Sequence, residues 1–165
     1  MIQRFTYRFD ELSPAQLYQI LALRSEVFVV EQQCIYQDLD NLDQQAIHLL
    51  GMDDSNNLVS YARILTPGVV YPEYAIGRVI VTQSHRGTGE GHKLMNYCMD
   101  AIESMAGNVP IRISAQAHLE QFYQTHRFTF TGKSYLEDGI PHIEMIYNPN
   151  LALWKNLSFI LRVSY

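Results

Sequence analysis

A glycine-rich turn between a strand and a helix is the part of this 165-residue chain that most clearly predicts chemistry. The apolar run Val79-Ile80-Val81 leads into Arg86-Gly87-Thr88-Gly89-Glu90-Gly91, and an amphipathic segment follows. Glycines leave backbone N–H groups unobstructed, and the first N–H groups of a helix have no partner within it. Because the helix dipole also favours negative charge there, the turn predicts a binding site for a phosphate or pyrophosphate.

Two common phosphate-binding motifs do not fit this turn. A Walker A loop ends in Gly-Lys-Ser/Thr, whereas Gly91 is followed by His92 and Lys93. The dinucleotide fingerprint that begins at Gly87 would need a glycine where His92 stands. The remaining pattern is Arg86-x-x-Gly89-x-Gly91, which by itself also fits a turn whose glycines only permit tight packing.

The elements that must position this turn alternate along the chain. Ser13-Pro14-Ala15-Gln16 has the form of a helix start, with Ser13 as N-cap and Gln16 completing a capping box. The predicted order β-α-β-β-β-α-β-α-β-β indicates an α/β fold, a mixed central sheet of about six to seven strands with helices on both faces. We expect strands near residues 3–9, 47–52, 58–65, 75–82, 111–115, 128–135 and 140–147, and helices near 14–28, 89–106 and 117–126.

Composition predicts one globular domain. The hydrophobic share of 47% and the charged share of 18% are ordinary, and the formal net charge of −5 disfavours nonspecific nucleic-acid binding. No signal peptide or membrane span is expected, so we predict a cytoplasmic protein without nucleic-acid or membrane partners. The domain is expected to cover residues 1–148. For the tail 149–165 a dimer contact, a covering segment and a poorly ordered end remain alternatives, and a homodimer is a possible assembly.

Several charged and thiol residues have ordinary structural interpretations. Cys34 and Cys98 have no framework or metal spacing and are expected to be free thiols. Asp38, Asp40 and Asp43 resemble half of a calcium loop without its remaining ligands, so no metal site is predicted and a solvated loop is favoured; attraction of a cationic amine is the alternative. Arg24 lies on the apolar face of the first helix, and pairing with Glu31 or a neighbouring carboxylate is expected.

The glycine turn and a second motif together resemble the GNAT N-acetyltransferases. Arg86-x-x-Gly89-x-Gly91 is similar to the acyl-CoA signature of that family, and Phe122-Tyr123-x-x-x-Arg127-Phe128 is similar to its Phe-Tyr-x-x-x-Gly-Phe segment. Arg127 replaces the usual glycine, so a left-handed backbone at that position would be strained. Residues 23–32, 36–40, 76–79 and 135–142 further resemble the ElaA-like branch. The resemblance covers Phe5 to Tyr147.

The resemblance implies acetyl-CoA as cofactor and assigns residues to it. The pyrophosphate would lie on the N–H groups of Arg86 to Gly91, and the Arg86 side chain would either add a contact or point to solvent. The pantetheine arm would pair with the strand Val79-Ile80-Val81 where the central strands part, and the N–H of Val81 would hold the acetyl oxygen. Gln116 stands where relatives carry a cofactor-binding Asn.

The resemblance also implies the acid–base groups. Tyr123 is the expected general acid, which would protonate the departing thiolate. Glu73 is a candidate general base, and a water chain is an alternative to any single base. Arg78, His118 and His142 are candidates for binding the acceptor. Further base candidates are Glu31, Glu144, His118 and His142.

The implied function is acetyl-CoA-dependent transfer of an acetyl group to a primary amine of an unidentified small-molecule or peptide acceptor. Direct transfer in a ternary complex is expected, because Cys98 lies on an apolar helix stripe and is a poor nucleophile. The alternative is a non-catalytic acyl-CoA binding or sensing domain, which keeps the glycine turn but needs no proton donor. Acceptor specificity is expected in the loops at 34–43, 66–73 and 136–139.

Overall fold

A computed structural model of the chain describes residues 1–149. They form a seven-stranded sheet in the order β1-β2-β3-β4-β5-β7-β6, in which only β4 and β5 are parallel neighbours. The strands are β1 Gln3–Arg8, β2 Ile47–Met52, β3 Leu58–Leu65, β4 Tyr74–Val81, β5 Ile111–Gln116, β6 Phe128–Glu137 and β7 Ile140–Tyr147. The α-helices are α1 Pro14–Arg24, α2 Glu90–Ala106 and α3 Glu120–Thr125. Within this part of the chain, no helix has the length and apolar character needed to cross a membrane.

The predicted element order is confirmed, with small differences at element ends. The capping box before α1 is present: Ser13 accepts from the N–H of Gln16, and the Gln16 side chain accepts from the N–H of Ser13. The predicted first helix is α-helical only to Arg24 and continues as a π-helical segment over Ser25–Glu31. The roles predicted for the tail lie outside the described residues.

Helices cover both faces of the sheet, as the α/β prediction requires. Successive side chains of a strand point to opposite faces, and β2 shows it directly. Leu49 packs in the core beneath α2, with Leu94 and Cys98, whereas Leu50 packs in the core beneath α1, with Ile20. The α/β fold class, with a mixed seven-stranded sheet and helices on both faces, is therefore confirmed.

A bulge in β4 changes the direction of its side chains. Ile76 belongs to the core beneath α2, yet Ile80 belongs to the core beneath α1, although four residues of regular strand would keep both on one face. The register against β3 shifts between Tyr61 and Arg63, and Arg78 has φ +51°. The extra residue therefore lies around Arg78, and it reorients the second half of β4.

The parallel strands β4 and β5 part soon after they meet. Their pairing is limited to Tyr74 with Ile111 and Ala75 with Arg112. From residue 76 onward β4 remains paired with β3 but has a free edge toward β5. The separation of central strands that the family resemblance implies is therefore present in this fold.

Candidate active site

A cavity of about 720 Å³ opens where β4 and β5 part. It is lined by residues from β3, β4, β5, the π-helical segment, the loop after that segment, the loop between β3 and β4, and the hairpin between β6 and β7. The predicted site residues on its wall are Arg78, Val79, Ile80, Val81, Arg86, Gln116, His118, Tyr123 and His142. Glu73 and the residues 87–91 do not line it.

The free edge of β4 directs main-chain groups toward the gap. Thr82 donates its N–H to the carbonyl of Val59 on β3 at 2.9 Å. Bonded and non-bonded positions alternate along antiparallel strands, so the N–H and C=O of Val81 point to the opposite edge. The Val81 carbonyl accordingly accepts a hydrogen bond from Nε of Arg86, at 2.9 Å, and not from β3. The Val81 N–H is thus directed into the space between β4 and β5.

The glycine turn presents unpaired N–H groups at the start of α2. Gly87 and Gly89 have φ of +75° and +81°, which a glycine adopts without strain, and α2 begins at Glu90 with no side-chain cap. The Arg86 N–H donates to Gln83 within a short 3₁₀ turn, at 3.3 Å. The predicted set of donors is therefore shortened to the N–H groups of residues 87–91, which have no hydrogen-bond partner within residues 1–149.

The Glu90 side chain anchors the start of α2 to the sheet. Its buried carboxylate accepts two hydrogen bonds from Arg4 on β1, at 2.7 and 2.8 Å, and one from Ser60 on β3, at 2.8 Å. A carboxylate at a helix N-terminus also complements the helix dipole. Only the backbone of Glu90 is therefore available to a ligand.

Arg86 connects the end of β4 to the π-helical segment. Besides its bond to Val81, its guanidinium binds both carboxylate oxygens of Glu31, at 2.5 and 2.9 Å. The hydrogen bond from Arg86 lowers the pKa of Glu31. Glu31 is therefore held as a paired carboxylate, which makes it a weak base.

Tyr123 is buried at the cavity wall, next to two aromatic rings. It packs edge-on against Phe122, at 5.0 Å between ring centroids, and against Phe128, at 6.1 Å. Burial raises the pKa of its phenol, so the group is neutral at physiological pH. Its hydroxyl has no hydrogen-bond partner in the described part of the chain, so its proton is free to be donated.

The other predicted side chains on the wall differ in how firmly they are held. Gln116 donates to Gln32 at 3.1 Å. His142 bonds to the carbonyl of Ile140 through Nδ1 and stacks on Tyr135. His118 is exposed. All three side chains line the cavity, within the space open to a ligand.

Glu73 lies outside the cavity and forms an ion pair with Arg112. Arg112 binds both of its carboxylate oxygens, at 2.6 and 2.9 Å, and this hydrogen bonding lowers the pKa of Glu73. Arg112 also binds Glu144, another base candidate, at 2.5 Å. The role of Glu73 as a base stays a prediction, and this pairing weakens it.

Three arginines and three aspartates form a closed ring of ion pairs beside the cavity, which we call the charge ring. Around it, the shortest distances are Arg24–Asp38 2.7 Å, Asp38–Arg78 2.8 Å, Arg78–Asp40 3.3 Å, Asp40–Arg63 2.6 Å, Arg63–Asp43 2.8 Å and Asp43–Arg24 2.7 Å. Each member contacts two of opposite charge, so the ring is neutral. It fastens the loop after the π-helical segment to α1, β3 and β4.

The charge ring corrects the expectation of a solvated loop and confirms that Arg24 is paired with carboxylates. The aspartates do not belong to a solvated loop, because Asp38 and Asp43 are buried and arginines neutralise all three. Arg24 pairs with Asp38 and Asp43, whereas Glu31 pairs with Arg86. The available signal was Arg63, a charge in the middle of a strand in which every residue is buried. Across residues 1–149, no group of three or more His, Cys, Asp or Glu side chains is placed to hold a metal ion.

Comparison with known proteins identifies the family to which this chain is similar. Residues 10–149 match the family model described as an acetyltransferase (GNAT) domain. Protein ElaA from Escherichia coli is 43% identical over 147 residues, covering 88% of this chain and 95% of ElaA. The UPF0039 protein sll0451 from Synechocystis is 44% identical over 140 residues, covering 85% of this chain and 91% of that protein.

Solved structures agree with the sequence matches. The crystal structure of E. coli ElaA superposes with a TM-score of 0.84 at 41% identity, covering 90% of this chain and all of ElaA. An acyl-CoA N-acyltransferase from Pseudomonas aeruginosa gives a TM-score of 0.84 at 39% identity, covering 88% of this chain and 99% of that one. The chain therefore belongs to the GNAT acetyltransferase family, among its ElaA-like members.

Proposed function

We propose that this protein transfers an acetyl group from acetyl-CoA to a primary amine, by direct attack in a ternary complex. Family membership supports acyl-CoA-dependent acyl transfer in general. The observation that carries the proposal is the combination of three features around the gap between β4 and β5 and at the start of α2. These are the free edge at Val81, the unpaired N–H groups of residues 87–91 and the free phenol of Tyr123.

The residues present fit acetyl-CoA in each of its parts. The N–H groups of residues 87–91 suit the pyrophosphate, since a Cβ placed on Gly87 or Gly89 would meet nothing within 4 Å. The free edge around Val79 and Val81 suits the amide-bearing pantetheine arm, which can pair with it as a strand would. Gln116 faces this edge from the other wall. The cofactor supplies an activated thioester for amine attack.

One main-chain group and one side chain would promote the transfer. The Val81 N–H is placed to bind the acetyl oxygen and to stabilise the negative charge that develops there. Tyr123 would give its proton to the departing thiolate, since a neutral phenol is a suitable acid for that step.

The two cysteines do not favour a covalent acyl-enzyme. Cys98 is fully buried, and burial raises the pKa of its thiol. Cys34 is buried and donates to the carbonyl of Asp138 at 3.4 Å, although it does line the cavity. We therefore expect the Cys34→Ala variant to retain catalytic turnover, and that result would support direct transfer. A cytoplasmic location and a homodimer remain predictions beside this proposal.

Replacing Tyr123 with Phe tests the proposed acid. We expect kcat for release of coenzyme A to fall about 100-fold, because general acid catalysis contributes on that order, while the Kd for acetyl-CoA stays the same. Thiol release with a panel of amines measures the first quantity and calorimetry the second. Tyr18→Phe, an exposed tyrosine on α1, is the matched control.

The same assays separate the enzyme from a binding or sensing domain. Acetyl-CoA binding without turnover of any amine by the wild-type protein would favour the sensing domain. Equal losses of rate and of cofactor affinity in Tyr123→Phe would remove Tyr123 from the chemical step.

A further inference from the structure

The cavity contains a carboxylate, Glu137, that no cation balances. Glu137 lies at the end of β6, where the hairpin to β7 meets the cavity wall. The other acidic side chains on the wall that are bound by arginine are Asp40, in the charge ring, and Glu31, paired with Arg86. Within residues 1–149 the Glu137 side chain has one partner, the hydroxyl of Ser114. Asp138, next to it in the hairpin, also lines the cavity without a cationic partner in residues 1–149, but no hydrogen bond orients its side chain. A cationic ligand in this cavity would therefore find its counterion in this hairpin, where Glu137 is the carboxylate that is held in position.

Hydroxyl groups hold this carboxylate in position. Tyr135 donates to the Ser114 hydroxyl at 2.6 Å, and Ser114 donates to Oε2 of Glu137 at 3.0 Å. Tyr71 lies beside Tyr135, and burial together with Tyr135 raises the pKa of Tyr71, so its phenol is neutral. The hydrogen-bonded hydroxyls of Tyr135 and Ser114, which we call the hydroxyl chain, orient Oε2 of Glu137. The other oxygen, Oε1, has no hydrogen-bond partner in the described residues. Oε1 is therefore available to accept from a ligand.

Glu137 lines the same cavity as Tyr123 and as the free edge of β4 where the thioester is expected. Ile113 and Ala115 lie in the core beneath α2. Because side chains alternate along a strand, Ser114 and Gln116 lie on the opposite face of β5. Two residues of strand span about 7 Å. Continuing the parallel register of Ala75 with Arg112 brings Gly77 level with Ser114, so Val79 and Val81 lie farther along the gap, toward Gln116.

We propose that Glu137 binds the ammonium group of the acceptor and is the base that removes its proton before attack. This inference rests on the proposed acetyl transfer and names the acceptor class as a primary aliphatic amine that is cationic in solution. Ser114 acts as a positioning residue, since it touches the carboxylate and orients it.

The proton and bond changes balance with the groups named. The ammonium gives one proton to Oε1 of Glu137, and the neutral amine forms the C–N bond to the acetyl carbon as the C–S bond breaks. The departing sulfur takes a proton from Tyr123, which recovers one as the new amide nitrogen loses its second proton. Glu137 is exposed and returns its proton to water. The net products are the amide, the free thiol and one proton.

The neighbouring charged and titratable groups do not offer the same role. His142 on β7 is engaged with the carbonyl of Ile140, and Glu144 on β7 is paired with Arg112 on β5. Asp138 lies next to Glu137 in the hairpin, at φ +50°, and its side chain is not part of the hydroxyl chain. Lys133 on β6 contacts Glu144.

The test compares Glu137→Gln with wild type, using 1,4-diaminobutane and a lysine-containing peptide as acceptors over pH 7 to 10. We expect kcat/KM for the amine to fall about 100-fold at pH 7, on the scale of general base catalysis, with the Kd for acetyl-CoA unchanged. The deficit should shrink toward pH 10, because the neutral fraction of an amine with a pKa of about 10.4 is far larger there than at pH 7. Asp138→Asn removes the same charge one residue away and is the control, and Ser114→Ala should lose about tenfold.

Four results would overturn the inference. Glu137→Gln that equals wild type at every pH would exclude its role while leaving acetyl transfer intact. A loss that is the same at pH 7 and pH 10, or an equal loss in Asp138→Asn, would indicate general electrostatics or structure rather than a base. Absence of turnover with both amines in the wild-type protein would overturn this inference together with the proposed function.

Discussion

Gly51 shows how a residue without a side chain supports the start of α2 from a strand that does not line the cavity. It lies on β2, opposite Ser60 of β3, and a Cβ added there would stand 2.1 Å from the Ser60 hydroxyl oxygen. That hydroxyl donates to Glu90, at the first position of α2. A methyl group at residue 51 would therefore displace a contact that fixes the glycine turn.

We predict that Gly51→Ala lowers the free energy of unfolding by about 1–3 kcal/mol, the usual cost of overpacking a filled core. Thermal or denaturant unfolding measures it. Gly77→Ala is the matched control, because a Cβ there meets nothing within 4 Å and its φ is not in the left-handed region. Equal stabilities of the two variants would contradict the argument.

Arg127 marks the limit of motif reasoning at a single position. The family pattern has glycine there, and the sequence predicted strain if the backbone stayed left-handed. The backbone does stay left-handed, at φ +66°, and the guanidinium stacks over Tyr147 and donates to its hydroxyl. The turn was therefore predictable from the motif, whereas the contact that accompanies the arginine depends on a residue twenty positions away.

The start of α2 depends on a charge pair as well as on glycine. Glu90 is buried at the first helical position, and its carboxylate accepts hydrogen bonds from Arg4 and Ser60. A substitution that removes its charge leaves the partly buried Arg4 without a counterion. It also weakens the favourable interaction with the helix dipole.

We predict that Glu90→Gln destabilises the protein by about 2–4 kcal/mol, as expected when one partner of a buried ion pair is lost. Its affinity for coenzyme A should fall as well, because the unpaired N–H groups of residues 87–91 depend on this anchor. Chemical denaturation and calorimetry measure the two effects. Glu103→Gln, an exposed position of the same helix, is the control; if it loses as much as Glu90→Gln, the anchor has no special role.

Local patterns predicted the elements, and long-range contacts explain what they missed. Ser13 and Gln16 form a capping box because they are three residues apart, so the start of α1 was visible in the sequence. The bulge at Arg78 and the π-helical segment depend on packing between distant strands and helices, and periodicity does not report them. The glycine turn was correctly located, but its Arg86 N–H is used within the protein.

The candidate site was predictable where a motif carried it. Tyr123 and Val79 to Val81 line the cavity as the resemblance implied. Glu137 fell within the loop at 136–139 that was expected to influence acceptor specificity, but no role was predicted for its side chain, because a turn pattern gives conformation and not what a side chain faces. The charge ring was missed for the same reason: its six members come from α1, a loop, β3 and β4, and their pairing exists only after the chain folds.

Buried ionisable groups across the fold predict how stability changes with pH. Burial lowers the pKa of His48 and of His126 below the ordinary value near 6.5. The unfolded chain then binds more protons than the folded one as pH falls below about 6.5, so stability is lost in that direction. Burial alone would raise the pKa of Asp40, but hydrogen bonds from Arg63 outweigh it and hold the value at about 2.

We therefore predict a two-stage loss of stability on acidification. The free energy of unfolding should be steady above pH 7, fall below pH 6.5 as the histidines are protonated on unfolding, and fall again between about pH 4 and pH 2 as Asp40 loses its pairing. Denaturant titrations at each pH measure it. His126→Gln should reduce the first stage, and His118→Gln, which replaces an exposed imidazole, serves as control. A first stage of unchanged size in His126→Gln would contradict the assignment.

The short pairing between β4 and β5 divides the sheet into two lobes, one made of β1 to β4 and the other of β5 to β7. Within residues 1–149, the strand pairs that join the lobes are Tyr74–Ile111 and Ala75–Arg112. Small rotations of one lobe against the other would change the width of the gap while disturbing few main-chain bonds. The two lobes also share the core beneath α2, where Leu49 and Ile64 of one lobe belong to the same cluster as Ile113 of the other. A ligand that contacts both lobes would therefore tie β4 to β5 along the stretch where no main-chain pairing joins them.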